Sequence, residues 1–378
     1  MKKILWVTLE FPPDRGGIAT YLKHLMRELG GNIVSVLAQP VPRDNNQFDD
    51  THEPYRIIRR KLLFPKIIWP RWIRALWHIL RLRKKTGATM LATSHVLPFG
   101  YVLWLLFKFK KIPYWINVHG MDLLMAQKSR RKTRWLKKIL RYADRVVVNS
   151  VFTKQTVMRL ETVSEDRITL VYPCPDTTLI IDKKQREDFR ARYALSGKQV
   201  VLSLGRLVER IGFDQVIRVF TAITQKIPRA VYLIAGDGPE ASKLERLVVE
   251  LKLQNNVRLL GPVSDEDRAF LYASADVFVM PTRAYEHDVE GFGIVYLEAA
   301  AYGLPVIATS AGGAGEAVMH GVTGLLINSS DPAALEAALL GMLQNESFRK
   351  QLGDAGHDRV RSEFIWADQA AKLKPFLD

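Results

Sequence analysis

The segment QVVLSLGRLVERIGFD, Gln199–Asp214, combines an apolar run, a glycine-arginine turn and the start of an amphipathic stretch. The run before Gly205 is almost entirely apolar, which is typical of a strand buried on both faces of a parallel sheet. Helical periodicity begins after Gly212, so a helix is expected to start near that residue. The segment therefore predicts one strand-turn-helix unit of an α/β fold.

The same alternation of apolar runs and amphipathic stretches continues along the chain. The strands expected in the first half are ILWVTL, NIVSVLA, TMLATS, YWINVH, RVVVNS and ITLVY. Those expected in the second half are QVVLSLG, AVYLIAGDG, NVRLLGPV, DVFVMPT, PVIATS and TGLLIN. Short apolar strands between helices indicate parallel sheets that are covered on both faces. We therefore predict an α/β protein with two open sheets in series, which would bind a ligand at the carboxyl ends of their strands.

A polar, proline-containing stretch separates the two series of strands. It runs from Pro173 to Lys198, and its composition predicts a linker followed by one helix. We place the first domain at residues 1–175 and the second at residues 176–364, with a final helix at residues 365–378. A chain of 378 residues is long enough for two hydrophobic cores.

The composition excludes several classes of protein. With 48% hydrophobic and 25% charged residues, the chain does not have the composition of a disordered protein. It contains no apolar run of about 18 residues, the minimum for a membrane span, and its first apolar run is too short for a signal peptide. The single cysteine, Cys174, cannot form an internal disulfide and suits a reducing compartment. We therefore expect a cytoplasmic protein.

The segment EGFGIVYLEA, Glu290–Ala299, carries the clearest binding signal. Its glycines let the backbone approach a ligand closely, and the helix expected from Gly293 would offer free N–H groups to an anion. Glu290 precedes that helix and Glu298 lies two turns inside it, where their carboxylates can accept hydrogen bonds from sugar hydroxyls. The alternative is a glycine-capped helix with two solvated glutamates, which glycine spacing alone would favour.

The spacing E-x7-E in this segment resembles the signature of retaining GT-B glycosyltransferases of family 4. The segments that also resemble the family, in the family's order along nearly the whole chain, are EFPPDRGGIATYLKHL, NVHGMDL, LGRLVERIGFD and AAYGLPVIATSAGGAGEAV. Within the family, DVEGFGIVYLEAAAYGLPVI and FPPDRGGI are most similar to phosphatidylinositol mannoside mannosyltransferases. The resemblance implies two Rossmann-like domains that face each other across a cleft, with helix 365–378 packed back on the acceptor-binding N-terminal domain. The C-terminal domain would bind the nucleotide-sugar donor.

The resemblance also implies roles for single residues. Glu290 would contact the transferred sugar, His119 would lie beside that sugar, and Arg206 would bind the diphosphate. Glu298 would hold the ribose and Val263 would lie near the base. The positions that match the family's donor site are Gly16, Gly17, Arg206, Ile211, Val263, Phe292, Gly293, Ile294 and Glu298.

Two of these assignments have structural alternatives. Gly16 and Gly17 would let the first loop approach the donor, but they also fit a plain turn between a strand and a helix. A histidine directly after a strand, such as His119, is more often structural than functional. Its position in an expected ligand cleft favours a functional role.

Ile211 departs from the family pattern, because relatives usually have a lysine there that contacts the diphosphate. Loss of one charge-assisted contact costs about 1.5–3 kcal/mol, which is roughly 10- to 100-fold in rate. Three interpretations remain open. Arg210 supplies the charge, or the sequence is an altered variant, or the chain is a donor-binding family member with impaired catalysis.

The resemblance implies a reaction without a metal ion or another cofactor. The sequence has no Asp-x-Asp at the end of a strand and no cluster of His and Cys residues, the patterns that would indicate a metal. Side chains and a helix N-terminus would stabilise the departing diphosphate, and attack on the same face would retain the sugar's configuration. The donor would be a nucleotide-diphosphate sugar, with GDP-mannose as one candidate.

The positive charge is concentrated in the first half of the chain. Residues 55–145 contain 23 lysines and arginines against two acids, a net +21, whereas the whole chain carries +16. Within this region, LLFPKIIWPRWIRALWHILRLRKK interleaves basic residues with tryptophans, and helix is possible only after Pro70. The residues assigned to this surface are Trp69, Arg71, Trp72, Arg74, Trp77, Arg81, Arg83, Lys84 and Lys85.

A basic amphipathic helix with aromatic anchors suits an anionic membrane surface. We therefore expect the protein to bind the inner face of the cytoplasmic membrane, where it would meet a lipid-linked acceptor. The structural alternative is that the apolar side packs on the sheet while the charges are solvated, but this leaves the excess charge unexplained. A nucleic-acid partner is the other alternative, and no recognition motif supports it.

Overall fold

The computed structural model describes residues 1–14, 16–41, 49–176, 179–285 and 288–378. The chain forms two compact units. The first comprises Met1–Pro173 together with Ile365–Asp378, and the second comprises Cys174–Phe364. The chain thus passes between units two residues before the expected boundary.

Within its described ranges, the first unit contains a parallel sheet of seven strands in the order β3-β2-β1-β4-β5-β6-β7. The strands are β1 Ile4–Val7, β2 Val34–Ala38, β3 Arg56–Arg59, β4 Met90–Thr93, β5 Tyr114–Val118, β6 Arg145–Val148 and β7 Ile168–Leu170. Strand β3 was not predicted from the sequence, because its arginines flank only two apolar residues. Charged side chains are common on edge strands, which they protect from pairing with other chains.

Helices cover both faces of this sheet. They are α1 Gly17–Leu29, α2 Ile73–Thr86, α3 Phe99–Lys110, α4 Met121–Gln127, α5 Arg130–Tyr142 and α6 Val151–Met158. Each face of the sheet has its own hydrophobic core. In β1, Leu5 packs in the core that includes residues of α2, α3 and α5, whereas the next residue, Trp6, packs in the core that includes residues of α1. Both side chains are fully buried. Burial on both faces explains why these strands are almost entirely apolar.

The described residues of the second unit form a parallel sheet of six strands in the order β10-β9-β8-β11-β12-β13. Its strands are β8 Gln199–Leu204, β9 Ala230–Ala235, β10 Val257–Gly261, β11 Val277–Met280, β12 Val306–Thr309 and β13 Gly324–Ile327. Its helices are α7 Lys183–Arg192, α8 Phe213–Lys226, α9 Ala241–Glu250, α10 Asp265–Ser274, α11 Ile294–Ala301, α12 Ala314–Ala317, α13 Pro332–Gln344 and α14 Glu346–Glu363. The predicted α/β class, with two parallel sheets in series, is confirmed.

The last segment of the chain belongs to the first unit. Helix α15, Trp366–Ala371, packs on α1, where the Trp366 ring stacks on His24 with 5.4 Å between ring centroids. Gln369 accepts a 2.9 Å hydrogen bond from the backbone N–H of Tyr172. Apolar packing and a buried polar contact therefore hold this helix against the N-terminal sheet and α1. In the described part of the chain, no helix is both long enough and apolar enough to span a membrane.

Candidate functional site

The carboxyl ends of β8 and β9 form a close turn in the second unit. A side chain at Gly236 would place its Cβ 1.9 Å from the carbonyl oxygen of Gly205, so only glycine fits there. Gly236 also has φ +141°, a value that favours glycine. Arg206, which follows Gly205, is exposed. Its side chain makes no hydrogen bond or ion pair with the described residues. The turn therefore presents a guanidinium to solvent.

Arg210 and Ile211 point in different directions. They lie in a short 3₁₀ turn, Glu209–Ile211, that precedes α8. The Ile211 side chain is 5% exposed and belongs to the apolar core, so it is not part of an exposed cationic wall. The Arg210 guanidinium instead lies 2.9 Å from Glu290 Oε2. The cation of this 3₁₀ turn is therefore at position 210, and it contacts a predicted catalytic carboxylate.

The loop from Glu290 to Gly293 rests on a second glycine pair. Gly313 donates its N–H to the carbonyl oxygen of Glu290 at 2.9 Å. A Cβ at Gly312 or Gly313 would lie 2.1 Å or 2.2 Å from the carbonyl oxygens of Glu290 and Gly291. These contacts fix the backbone that carries Glu290.

Helix α11 begins where the sequence predicts it. Gly293 is its N-cap with φ +84°, and a Cβ there would lie 2.4 Å from the Tyr296 ring. Phe292 is buried at 2% exposure, and Ile294 is the first helical residue. The first N–H groups of a helix have no partner within the helix, and its dipole favours anions at that end. The chemistry of this terminus suits a phosphate.

Glu298 lies within α11 and is only 8% exposed. Its Oε2 accepts a 2.9 Å hydrogen bond from the hydroxyl of Tyr272, and its Oε1 lies 3.9 Å from Arg268 Nη1. Burial, and then the neighbouring Glu298 carboxylate, raise the pKa of Tyr272 well above its usual value, so the phenol remains a donor. Tyr272 and Arg268 orient this carboxylate, and the sequence analysis missed both. Val263, two residues beyond β10, is half-buried.

Gly16 and Gly17 lie before and at the first turn of α1 in the first unit. Apart from chain neighbours and the backbone of α1, a Cβ added to either would have no atom of the described residues within 4 Å. Gly16 has φ 169°, which is extended backbone that any residue adopts. Neither packing nor backbone geometry explains these glycines, which favours the interpretation that they allow a ligand to approach.

His119 follows β5 in a buried environment. Its ring contacts Tyr21 edge-on at 5.4 Å, and its Nε2 is buried with no partner among the described residues. Burial, and then His95, lower the pKa of His119 to about 3. The imidazole is therefore neutral near pH 7 and suited to donating a hydrogen bond. Its backbone N–H donates to Asp122 Oδ1 at 3.1 Å, which ties the histidine to the start of α4.

His95 is a second buried imidazole that the sequence analysis missed. It follows β4, and its Nε2 lies 3.2 Å from the Thr8 hydroxyl at the end of β1. Burial lowers the pKa of His95 to about 4. The position of His95 directly after the predicted strand TMLATS was the available signal. Among the described residues, no group of three or more His, Cys, Asp or Glu side chains could hold a metal ion.

The basic segment divides into buried and exposed parts. Helix α2 buries Ala75, Ile79 and Leu82 against the sheet. Trp72 packs at the edge of this core, whereas Trp69 is 77% exposed and Trp77 is 57% exposed. The basic residues Arg81, Lys84 and Lys85 are exposed, whereas Arg71, Arg74 and Arg83 are half-buried. Packing on the sheet therefore accounts for one side of α2 and leaves two tryptophans and several cations in solvent.

Comparison with known proteins matches two parts of the chain to two glycosyltransferase family models. Residues 15–179 match the model of Glycosyltransferase Family 4, and residues 185–359 match that of Glycosyl transferases group 1. The chain is 30% identical over 406 aligned residues to a GDP-mannose-dependent alpha-(1-6)-phosphatidylinositol monomannoside mannosyltransferase of Mycobacterium tuberculosis. That alignment covers 100% of this chain and 98% of the relative.

Solved structures share the same fold. Sucrose-phosphate synthase from Thermosynechococcus elongatus has a TM-score of 0.83 at 24% identity, with coverage of 100% of this chain and 98% of that one. Anabaena HepE in complex with UDP-glucose has a TM-score of 0.82 at 19% identity, with coverage of 100% and 99%. Together with the full-length relative and the two family matches, these likenesses show that the chain belongs to the GT-B glycosyltransferases with family 4 and group 1 domains.

Proposed function

We propose that the protein is a configuration-retaining mannosyltransferase that uses GDP-mannose and a lipid-linked acceptor. The observation that carries this proposal is the loop Glu290–Gly293, which presents a carboxylate directly before the N-terminus of α11. A nucleotide-diphosphate sugar has the matching chemistry, because it carries an anion next to a polyhydroxyl ring. The Mycobacterium tuberculosis relative, named as GDP-mannose-dependent, supports mannose as the sugar.

Donor binding in this proposal uses four features of the second unit. Arg206 and the N–H groups of α11 bind the diphosphate, and the Glu298 carboxylate accepts hydrogen bonds from the ribose. Tyr272 occupies one oxygen of Glu298, which leaves acceptor capacity on the other. Val263 lies on the side of the base. These assignments require no metal ion or other cofactor.

The reaction breaks the bond between the sugar's anomeric carbon and the diphosphate oxygen. The acceptor hydroxyl attacks on the same face, and its proton passes to the departing diphosphate. Negative charge grows on the leaving group while the sugar becomes oxocarbenium-like, so Arg206 and Glu290 have complementary tasks. The neutral His119 donates a hydrogen bond to the sugar.

A panel of GDP-, UDP- and ADP-sugars tests the donor assignment. We expect calorimetry to detect binding of GDP-mannose, and NMR of the product to show an α-linked mannose, the configuration of the donor. A β-linked product would contradict retention. Binding of a donor with no transfer to a glycolipid acceptor would instead support the alternative that this is a catalytically impaired family member. Binding of none of these donors would contradict the proposal.

Membrane docking is proposed to occur through α2 and the segment before it. Trp69 and Trp77 are exposed, and the Arg81 guanidinium lies 5.4 Å from the centre of the Trp77 ring. Helix α5, on the same face of the sheet, adds seven basic residues, namely Arg130, Arg131, Lys132, Arg134, Lys137, Lys138 and Arg141. Exposed tryptophans among cations match the chemistry of an anionic lipid surface better than that of a nucleic acid. We place this contact on the cytoplasmic face of the membrane.

Vesicle flotation tests the docking surface. The double substitution Trp69→Ser and Trp77→Ser should weaken binding to phosphatidylglycerol vesicles about tenfold or more, because two apolar side chains no longer insert. The matched control is Val249→Ser, which removes an apolar side chain that is 58% exposed on α9 of the second unit. Wild-type binding should also fall in high salt. Equal binding to neutral vesicles, or tight DNA binding without vesicle binding, would contradict this proposal.

A further inference from the structure

Two arginines, Arg210 and Arg283, connect two loops of the second unit. Arg283, which follows β11, donates to both carboxylate oxygens of Asp214 at 2.8 Å and 2.7 Å. It also donates from Nη1 to the carbonyl oxygen of Glu209 at 2.7 Å. Its backbone N–H donates to the carbonyl oxygen of Arg210 at 2.7 Å. The loop after β11 is therefore bound to the turn before α8.

Arg210, in the turn before α8, contacts two carboxylates of the loop after β11. Its Nε lies 2.8 Å from Asp288 Oδ1, and its Nη1 donates to Glu290 Oε2 at 2.9 Å. The side chains of Arg210 and Glu290 are only 17% and 18% exposed, which reduces screening by water. The two arginines therefore cross-link the same pair of loops from both sides.

The ion pair of Arg283 and Asp214 is charged at neutral pH. Its hydrogen bond to Asp214 raises the pKa of Arg283. Burial acts to raise the pKa of Asp214, but the hydrogen bond and charge of Arg283 outweigh it, and the net effect is a lowered pKa. A bidentate, charge-assisted pair also fixes geometry more strictly than a single contact.

We propose that Arg210 and Arg283 form a clasp that positions the Glu290 carboxylate, an inference that rests on the proposed catalytic role of Glu290. Arg210 holds one oxygen, Oε2, and leaves Oε1 for a hydroxyl of the sugar. Arg283 holds the backbone of Arg210, so it affects the position of Glu290 only through Arg210. Both are positioning residues, since neither needs to touch the substrate.

The clasp also explains why an apolar residue at position 211 suits this structure. A side chain that packs inward at position 211 anchors the 3₁₀ turn from which Arg210 extends towards Glu290. The charge at position 210 is engaged by two carboxylates. Arg206, in the turn after β8, is therefore left as the exposed cation available to the diphosphate.

Kinetics of Arg210→Met, Arg210→Lys and Arg283→Met test the clasp. We expect Arg210→Met to lower kcat about 10- to 100-fold while the KM for the donor changes less than about threefold, because a misplaced group costs rate more than binding. Arg210→Lys should recover part of kcat, and Arg283→Met should have a smaller effect. Arg246→Met, at an exposed arginine on α9, is the matched control and should leave kcat unchanged.

Hydrogen exchange supplies a readout that does not depend on turnover. Exchange of the backbone amides of the segment 288–293 should accelerate in Arg210→Met and Arg283→Met but not in Arg246→Met. Unchanged exchange and unchanged kcat in Arg210→Met would overturn the clasp, as would a rise in donor KM with kcat intact. If the wild type transferred no sugar while Arg210→Met and Arg283→Met still showed the expected faster exchange, the proposed function would be refuted and the clasp would stand.

Discussion

Substitution of Glu290 by glutamine should lower kcat about 1000-fold with little change in donor affinity. The carboxylate lies at the start of α11, where charge develops on the sugar in the proposed reaction, and electrostatic groups of this kind contribute most in the transition state. A 1000-fold loss corresponds to about 4 kcal/mol of transition-state stabilisation. Glutamine keeps the size of the side chain and an oxygen for Arg210, so it removes mainly the negative charge.

Single-turnover kinetics with a saturating donor is the appropriate measurement, because it separates chemistry from binding. The matched control is Asp288→Asn, which neutralises the other carboxylate that contacts Arg210. That variant should stay within about tenfold of the wild type, since Asp288 has no assigned contact with the sugar. If Glu290→Gln kept a tenth or more of wild-type kcat, the assigned role of Glu290 would be wrong.

The sequence was sufficient to predict most of the strands and their parallel arrangement, but not their order in the two sheets. Strands such as β1, β5 and β8 are buried on both faces, so their apolar runs stand out against the amphipathic helices around them. Strand β3 was missed because an edge strand with arginines at both ends lacks such a run. The helix starting after Gly293 was predicted correctly, because glycine at its start is a local signal.

The side-chain network of the candidate site was less accessible from the sequence. Arg210 and Glu290 are 80 residues apart, and nothing in either local pattern indicates that they pair. The same holds for Tyr272 with Glu298 and for Arg283 with Asp214, whose meeting depends on how loops from different strands pack. Motif spacing therefore predicted functional roles for the two glutamates, whereas their side-chain partners could be found only from the fold.

The direction of neighbouring side chains decides how Ile211 is interpreted. The sequence showed only that the usual lysine is absent and that an arginine precedes it. In the 3₁₀ turn, Arg210 extends towards Glu290 while Ile211 is buried, so adjacent residues have separate tasks. The absence of a lysine at position 211 therefore increases the importance of the remaining exposed cation, Arg206.

Arg206→Met should weaken binding of GDP-mannose and lower kcat/KM about 10- to 100-fold, the range for one lost charge-assisted contact of about 1.5–3 kcal/mol. The melting temperature should not change, because this exposed side chain makes no hydrogen bond or ion pair with the described residues of the folded protein. Calorimetry with GDP and with guanosine separates the causes. If Arg206 contacts the diphosphate, its substitution weakens binding of GDP but not of guanosine. If the substitution instead disturbs the base or ribose site, it weakens binding of both.

Arg361→Met provides the matched control, since Arg361 is also exposed in the second unit but lies near the end of α14. It should bind GDP as the wild type does. If Arg206→Met bound GDP as tightly as this control, the diphosphate would have to be held by another cation. Arg210, released from its two carboxylates when the donor binds, would then be the residue to substitute next, and the combined Arg206→Met and Arg210→Met variant should lose GDP binding that neither substitution removes alone.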